Sequence, residues 1–231
     1  MALLITIFAV FTASASPDYS EDAIPPIHTS MLEATDLGNS VVLGDGAKLT
    51  RVSRSGFISR IAAAQDISTQ EAEKILTASQ TEEMKDNTTM QRAALKANAG
   101  GYYYFSYSKE FHLQNKASNP YKAQLCAQLY MWSDGQYAQI EKVRTVYTAA
   151  VTGLSPYTWT SLAATYNIPR GGSFPTGIID LLGDGQFSVT TTWSAGASAK
   201  LGDLGFSYSG GGSNIWTSGI LHMRGTYQCY R

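Results

Sequence analysis

The stretch that decides the fold is GYYYFSYSKEFHL, residues 101–113. Its odd-numbered positions from Tyr103 to Leu113 carry aromatic or apolar side chains, apart from Lys109, whereas Ser, Glu and His occupy the even positions from 106 onward. Side chains of a β-strand point alternately to the two faces of its sheet. The alternation therefore predicts a strand with one face in a hydrophobic core.

Alternating runs recur along the rest of the chain and predict further strands. Asp134-Gly135 predicts a tight hairpin turn between two of them, because glycine accepts the positive φ that such a turn requires. The apolar residues shift from even-numbered to odd-numbered positions between Ile140 and Val143. This change of parity predicts a β-bulge. The other predicted strands are residues 125–131, 137–151, 157–162, 187–201, 204–208 and 221–229. With about six to eight antiparallel strands, the fold is predicted to be mainly β, either a β-sandwich or a partly closed barrel.

The region before residue 100 has a different pattern. Prolines and glycines interrupt any periodic run in residues 17–50, which are predicted to be irregular. Phe57 and Ile61 then recur at helical spacing, and Ser68 with Glu71 forms a capping box for a second short helix. We therefore expect two segments. Residues 17–99 form an irregular and helical acidic segment, serving as a spacer or pro-segment, and residues 100–231 form the antiparallel β domain.

Charge follows the same division. Residues 17–99 contain 8 basic and 12 acidic residues, whereas residues 100–231 contain 9 basic and 6 acidic ones. The opposite signs favour a weak, salt-sensitive contact between the segments. The net charge of the whole chain is -1, so no global basic field attracts nucleic acid.

The extreme N-terminus predicts export. Residues 3–11, LLITIFAVF, form an apolar core of the length found in secretory signal peptides, and Ala13-Ser14-Ala15 supplies the small residues of a cleavage site. The run is too short to span a bilayer, which requires about 20 apolar residues. Residues 1–16 are therefore predicted to be a signal peptide, although no Lys or Arg precedes the apolar core, and the protein is predicted to be secreted.

The sequence contains two cysteines, Cys126 and Cys229, both on strand-like runs. In an oxidising compartment such a pair usually forms a disulfide, so we expect a Cys126–Cys229 bridge that fastens the C-terminus to the sheet. Two buried thiols are the alternative.

No sequence pattern specifies a catalytic site. Ser106 and Lys109 match the S-x-x-K pattern of Ser–Lys acyl enzymes, but in a strand their side chains point to opposite faces. Four of the six acidic residues after residue 100 are Asp at or near predicted turns, so a pair of carboxylates across one cleft is not indicated. These patterns favour a non-enzymatic protein, and an extracellular hydrolase stays as an alternative.

No metal site or cofactor is predicted either. The three histidines, His28, His112 and His222, have no carboxylate at a fixed ligand spacing. The tetrapeptide Leu-Gly-Asp-Gly occurs at residues 43–46 and 182–185, but a calcium loop needs more acidic residues at alternate positions. We interpret both copies as tight turns.

The aromatic residues give the best indication of a binding surface. All four Trp and all but one of the 14 Tyr lie after residue 100. The run 102–104 places tyrosines on both faces of one strand, so aromatic rings occur on a face other than the core. Tyr102, Tyr104, Tyr130 and Trp132 are predicted to be exposed aromatic residues that bind a partner. Exposed Tyr and Trp suit contacts with carbohydrates, proteins or the membrane interface.

Two functions of different classes follow. The first is a secreted, non-enzymatic β-sandwich module that binds a surface glycan or a protein. The second is a membrane-active secreted toxin, pore-forming or bacteriocin-like, with a pro-segment. The second rests on residues 187–208, whose Ser- and Thr-rich alternation and Gly202-Asp203 turn resemble a membrane-inserting hairpin.

Overall fold

The computed structural model describes residues 40–86, 100–134, 137–154, 156–191, 195–209 and 214–229. Its main feature is a pair of antiparallel sheets packed face to face as a sandwich that does not close into a barrel. The prediction of a mainly β, antiparallel fold with an early helical segment is confirmed. The predicted signal peptide, residues 1–16, lies outside the described residues.

The first sheet is an antiparallel meander in which sequence neighbours are also neighbours in space. Its order is β1-β2-β3-β4-β5, from β1 (Ser40–Val42), β2 (Lys48–Val52), β3 (Gly101–His112), β4 (Lys122–Ser133) and β5 (Ala138–Thr152). The β4–β5 register shifts beside Leu129 and Met131, which pair with Val143 and Ile140. The β-bulge predicted from the parity change in β5 is therefore confirmed.

The second sheet is built around β7. Its strands are β6 (Thr158–Asn167), β7 (Ile178–Thr190), β8 (Phe206–Ser209), β9 (Ile215–Ser218) and β10 (Leu221–Gln228). One edge of β7 pairs with β6, and the other pairs first with β10 and then with β9, which in turn pairs with β8.

The core lies between the two sheets and takes residues from both. Phe105, Leu129 and Met131 of the first sheet belong to one buried cluster with Leu181 and Phe187 of the second. The second Leu-Gly-Asp-Gly sequence lies inside β7 and is not a turn, so that prediction is wrong. Its Gly183 is required by packing, because a Cβ there would lie 2.6 Å from the Thr148 methyl carbon. The first copy does form the turn between β1 and β2, where Gly46 has φ +80°.

Two helices cover part of the outer face of the first sheet. They are α1 (Arg54–Gln65) and α2 (Thr69–Asp86), and both were predicted. Ser53 caps α1 by accepting a hydrogen bond from the Gly56 amide at 3.0 Å, and Ser68 accepts one from the Glu71 amide at 3.1 Å. The buried residues of the helices form a second, smaller apolar cluster: Val52, Phe57, Ile58, Ile61, Ala62, Ala72 and Leu76.

The structure departs from the sequence prediction in residues 40–50. The prediction of irregular chain is wrong there, because these residues contribute to β1 and β2, and β2 pairs with β3 from Lys48 to Val52. Leu43, Ala47 and Leu49 are part of the main core. The boundary drawn at residue 100 therefore does not coincide with the edge of the sheet.

The predicted hairpin at residues 187–208 is not formed. β7 ends at Thr190, and Ala195–Asp203 forms a helix, α3. The alternation of Ala and Ser in this stretch is not an alternation of strongly apolar and polar side chains, and alanine has the highest helix propensity. The membrane-active alternative loses the element on which it depended. Among the described residues, none of the helices combines the length and hydropathy that crossing a bilayer would require.

The predicted disulfide is also not formed. Cys126 and Cys229 are both buried and not bonded to each other. Cys229 belongs to the core between the sheets, whereas Cys126 alternates with the core residues Leu125 and Ala127 and points to the opposite face of β4. The backbone of the first sheet therefore lies between the two thiols, and the alternative of two buried thiols describes the structure.

Candidate binding site on the outer face of the first sheet

The four aromatic residues predicted to form a binding surface come together on one face. Tyr102 is paired with Trp132, and Tyr104 with Tyr130, in the register of β3 and β4. Paired residues of neighbouring strands share a face, and this one is turned away from the core. We call these four residues the aromatic face. Their role in binding stays a prediction.

The rings of the aromatic face contact one another. Tyr102 and Tyr130 are stacked, with centroids 5.2 Å apart and an interplanar angle of 10°. Tyr104 is tilted against Tyr130 at 5.4 Å and against Phe57 of α1 at 4.7 Å. Such aromatic pairs fix ring positions and add about 0.5–1.5 kcal/mol each beyond simple burial. The face is therefore a preformed surface rather than a set of independent side chains.

Exposure is uneven across the aromatic face. Tyr102 is 40% exposed, whereas Tyr104, Tyr130 and Trp132 are half-buried. The indole of Trp132 lies against Gly100, where a Cβ would be 2.6 Å from the ring. Tyr102 therefore presents the largest accessible aromatic area of the four.

Polar and charged residues of β5 border the aromatic face. Gln139 pairs with Trp132, and its amide donates a hydrogen bond of 2.6 Å to Glu141. Lys142 pairs with Tyr130, and the Arg144 guanidinium lies 5.6 Å from the centroid of the Tyr130 ring. The sequence analysis missed these residues. The parity change in β5 was the signal that could have found them, because the bulges bring them to this face.

Helix α1 forms the other border through a buried polar cluster. The Ser106 hydroxyl accepts a hydrogen bond of 3.0 Å from Arg60 of α1 and another of 3.0 Å from the Gln128 amide. Cys126 and Tyr147 are paired nearby across β4 and β5. Burial raises the pKa of the Cys126 thiol to about 11 and that of the Tyr147 hydroxyl to about 12. Both groups are therefore protonated and unreactive at neutral pH.

Two of the chemical patterns considered in the sequence can be placed in the structure. Ser106 contacts α1, whereas Lys109 forms an ion pair of 2.7 Å with Asp45, so the two residues of the S-x-x-K pattern do not meet. In the described part of the chain, no group of three His, Cys, Asp or Glu side chains is placed to hold a metal ion. What the arrangement can do is bind: it combines fixed aromatic rings with a charged border.

Comparisons of this chain with protein-family models, with curated proteins and with solved structures give no match.

Proposed function

We propose that this chain is a secreted, non-enzymatic binding module that contacts a protein at a surface through its aromatic face. The observation that carries the proposal is the cross-strand register, which assembles Tyr102, Tyr104, Tyr130 and Trp132 into one contacting group. Export rests on the apolar run at residues 3–11 and the small residues that follow it.

The composition of the surface supports a protein partner. Residues that dominate the energy of protein–protein interfaces are enriched in Trp, Tyr and Arg, and they cluster at the centre of an interface with a polar rim. The aromatic face supplies Tyr and Trp, while Arg144, Lys142 and Glu141 supply the rim. Rim charges would steer a partner and set its orientation more than its affinity.

The ring geometry favours a protein over a glycan. A sugar binds an aromatic residue by lying on the face of the ring, whereas protein side chains also contact ring edges and hydroxyl groups. In the aromatic face, Tyr102 and Tyr130 cover one another at 5.2 Å, and Tyr104 is covered by Phe57 at 4.7 Å. The alternative of a glycan partner is therefore kept as an outcome of the test.

A binding assay with the labelled protein and intact cells from its surroundings tests this function. Saturable binding should weaken by about tenfold or more in Tyr102→Ala and Trp132→Ala, the loss expected for residues at an interface centre. Tyr166→Ala is the matched control, because Tyr166 lies on β6 of the other sheet and is 39% exposed.

Pretreatment of the cells distinguishes the two classes of partner. Loss of binding after protease treatment but not after removal of glycans supports the proposal. The reverse result assigns the aromatic face to a glycan instead. An equal loss of binding in Tyr166→Ala, or no saturable binding at all, overturns the proposed site.

A further inference from the structure

A second candidate site lies far from the aromatic face. It is a cleft of about 300 Å³ where three turns meet. One turn follows β3, one precedes β8, and the third joins β9 to β10. The lining residues are Leu113, Gln114, Asn115, Gly205, Gly219, Ile220, Leu221 and His222. Tyr102 lies near the start of β3 and Leu113 directly follows its end, about 36 Å away at about 3.3 Å per residue, so the cleft and the aromatic face are separate.

The backbone of the cleft is unusual. Gln114 and Asn115 are adjacent residues with φ of 59° and 53°, the left-handed region that side chains other than glycine seldom adopt. The Gln114 amide lies against Gly205, where φ is +89° and a Cβ would be 2.8 Å from the Gln114 Cδ atom. The two turns are thus fitted to each other, and backbone strain of this kind clusters at sites that clamp ligands.

The side chains of the cleft can both donate and accept hydrogen bonds. The carboxamides of Gln114 and Asn115 are exposed, and neither makes a side-chain hydrogen bond to another described residue. His222 Nδ1 lies 2.8 Å from Asp184 Oδ1, and this contact fixes the orientation of the imidazole ring. The Ile220 side chain is 50% exposed and adds an apolar wall.

We propose that this cleft binds a single neutral sugar residue. Each sugar hydroxyl donates and accepts a hydrogen bond, as does each carboxamide, and the C–H face of the ring suits the exposed Ile220 side chain. The Asp184 carboxylate beside His222 disfavours an anion. A volume of about 300 Å³ is at the lower end of the range for ligand sites, which fits one ring rather than an extended chain.

Titration of the full chain with a panel of neutral monosaccharides, followed by ligand-observed NMR, tests the proposal. Asn115→Gly is the informative variant, because glycine keeps the left-handed backbone and removes only the amide. Binding of a panel sugar should weaken by about fivefold to tenfold in Asn115→Gly, the loss of one or two hydrogen bonds. Asn167→Ala, which removes an exposed amide of β6, should bind as the unmodified chain does.

Three results overturn the proposal. They are no saturable binding of any panel sugar, equal binding by Asn115→Gly and the unmodified chain, and displacement of the sugar by inorganic phosphate, which assigns the cleft to anions. Tyr102→Ala separates this proposal from the proposed function. If Tyr102→Ala abolishes sugar binding and Asn115→Gly does not, the sugar occupies the aromatic face and the cleft proposal fails.

Discussion

Tyr107 and Gly225 show how single residues fit together across the two sheets. The Tyr107 side chain of β3 is buried, and its hydroxyl lies where the Cβ of any larger residue at position 225 of β10 would be. Among the described residues, this hydroxyl has no hydrogen-bond partner. A buried tyrosine of this kind stabilises the fold through its ring, while its unpaired hydroxyl costs free energy because it has lost its hydrogen bonds to water.

Gly225→Ala should therefore lower the free energy of unfolding by about 1–3 kcal/mol, because the added methyl group overpacks the core. Tyr107→Phe should rescue the variant, since removal of the hydroxyl leaves the nearest ring carbon, Cζ, 3.2 Å from the new Cβ. Urea denaturation of the two single variants and the double variant measures this coupling. Gly202→Ala is the control, because its Cβ has open space around it. Additive effects in the double variant would contradict the predicted contact.

The two buried thiols predict an alkaline limit to stability. Burial raises the pKa of Cys126 to about 11 and that of Cys229 to about 12, from an ordinary value of 9.0. The folded chain therefore keeps protons that the unfolded chain releases, so this stability is fully present below about pH 9 and is lost as the pH rises toward 12. For Cys126 alone the loss amounts to about 2–3 kcal/mol.

Urea denaturation at several pH values between about 8 and 11 measures this loss. The Cys126→Ala, Cys229→Ala variant is the comparison: its stability should decline less steeply above about pH 9, because the tyrosines, with an ordinary pKa of about 10, ionise in both proteins. Parallel declines in the two proteins would show that the thiols do not carry the effect.

At the scale of elements, the start of α1 depends on one hydroxyl. Ser53 has extended backbone angles, and its side chain accepts the Gly56 amide at 3.0 Å. Ser53→Ala should therefore cost about 1 kcal/mol of stability. Ser59→Ala is the control, because Ser59 is exposed inside the same helix, where alanine is favourable. Urea denaturation of both variants checks the difference. Equal stabilities would show that α1 does not need this cap.

Prediction from sequence succeeded for most strands with strong alternation. It failed where tertiary packing determines the local structure. The alternation in β3 and β4 indicated which residues of each strand face the core, whereas the register between the strands, seen only in the structure, brings Tyr102, Tyr104, Tyr130 and Trp132 together. Residues 195–203 were misassigned because Ala and Ser satisfy a strand pattern and a helix equally well, and helix propensity prevailed. The cleft could not be predicted at all, because the turn at residues 113–115 lies far in the sequence from the turns at Gly205 and Gly219, and only the packing of the two sheets brings them together.

At the scale of the whole molecule, the chain before residue 100 is part of the main sheet. Leu49 of β2 is 1% exposed and pairs with Tyr107, and Leu43 and Ala47 also belong to the main core. The sequence analysis did not predict β2, because a strand of five residues close to several glycines has too short a periodic pattern. The change in net charge at residue 100 therefore does not coincide with an edge of the first sheet.

A chain that begins at residue 100 should consequently fail to fold cooperatively, although the sequence alone suggests an independent β domain. Removing a buried leucine side chain such as that of Leu49 costs about 2–5 kcal/mol by itself. The truncation also removes the pairing of β2 with β3 and the cover that α1 provides, and the total stability of a domain is only about 5–15 kcal/mol. Circular dichroism during urea denaturation of residues 100–231, compared with residues 38–231, measures the effect. Addition of residues 38–86 as a separate peptide should restore a cooperative transition. If residues 100–231 unfold cooperatively with a midpoint close to that of the longer chain, then β1, β2 and the two helices are an attachment, and the β domain is independent after all.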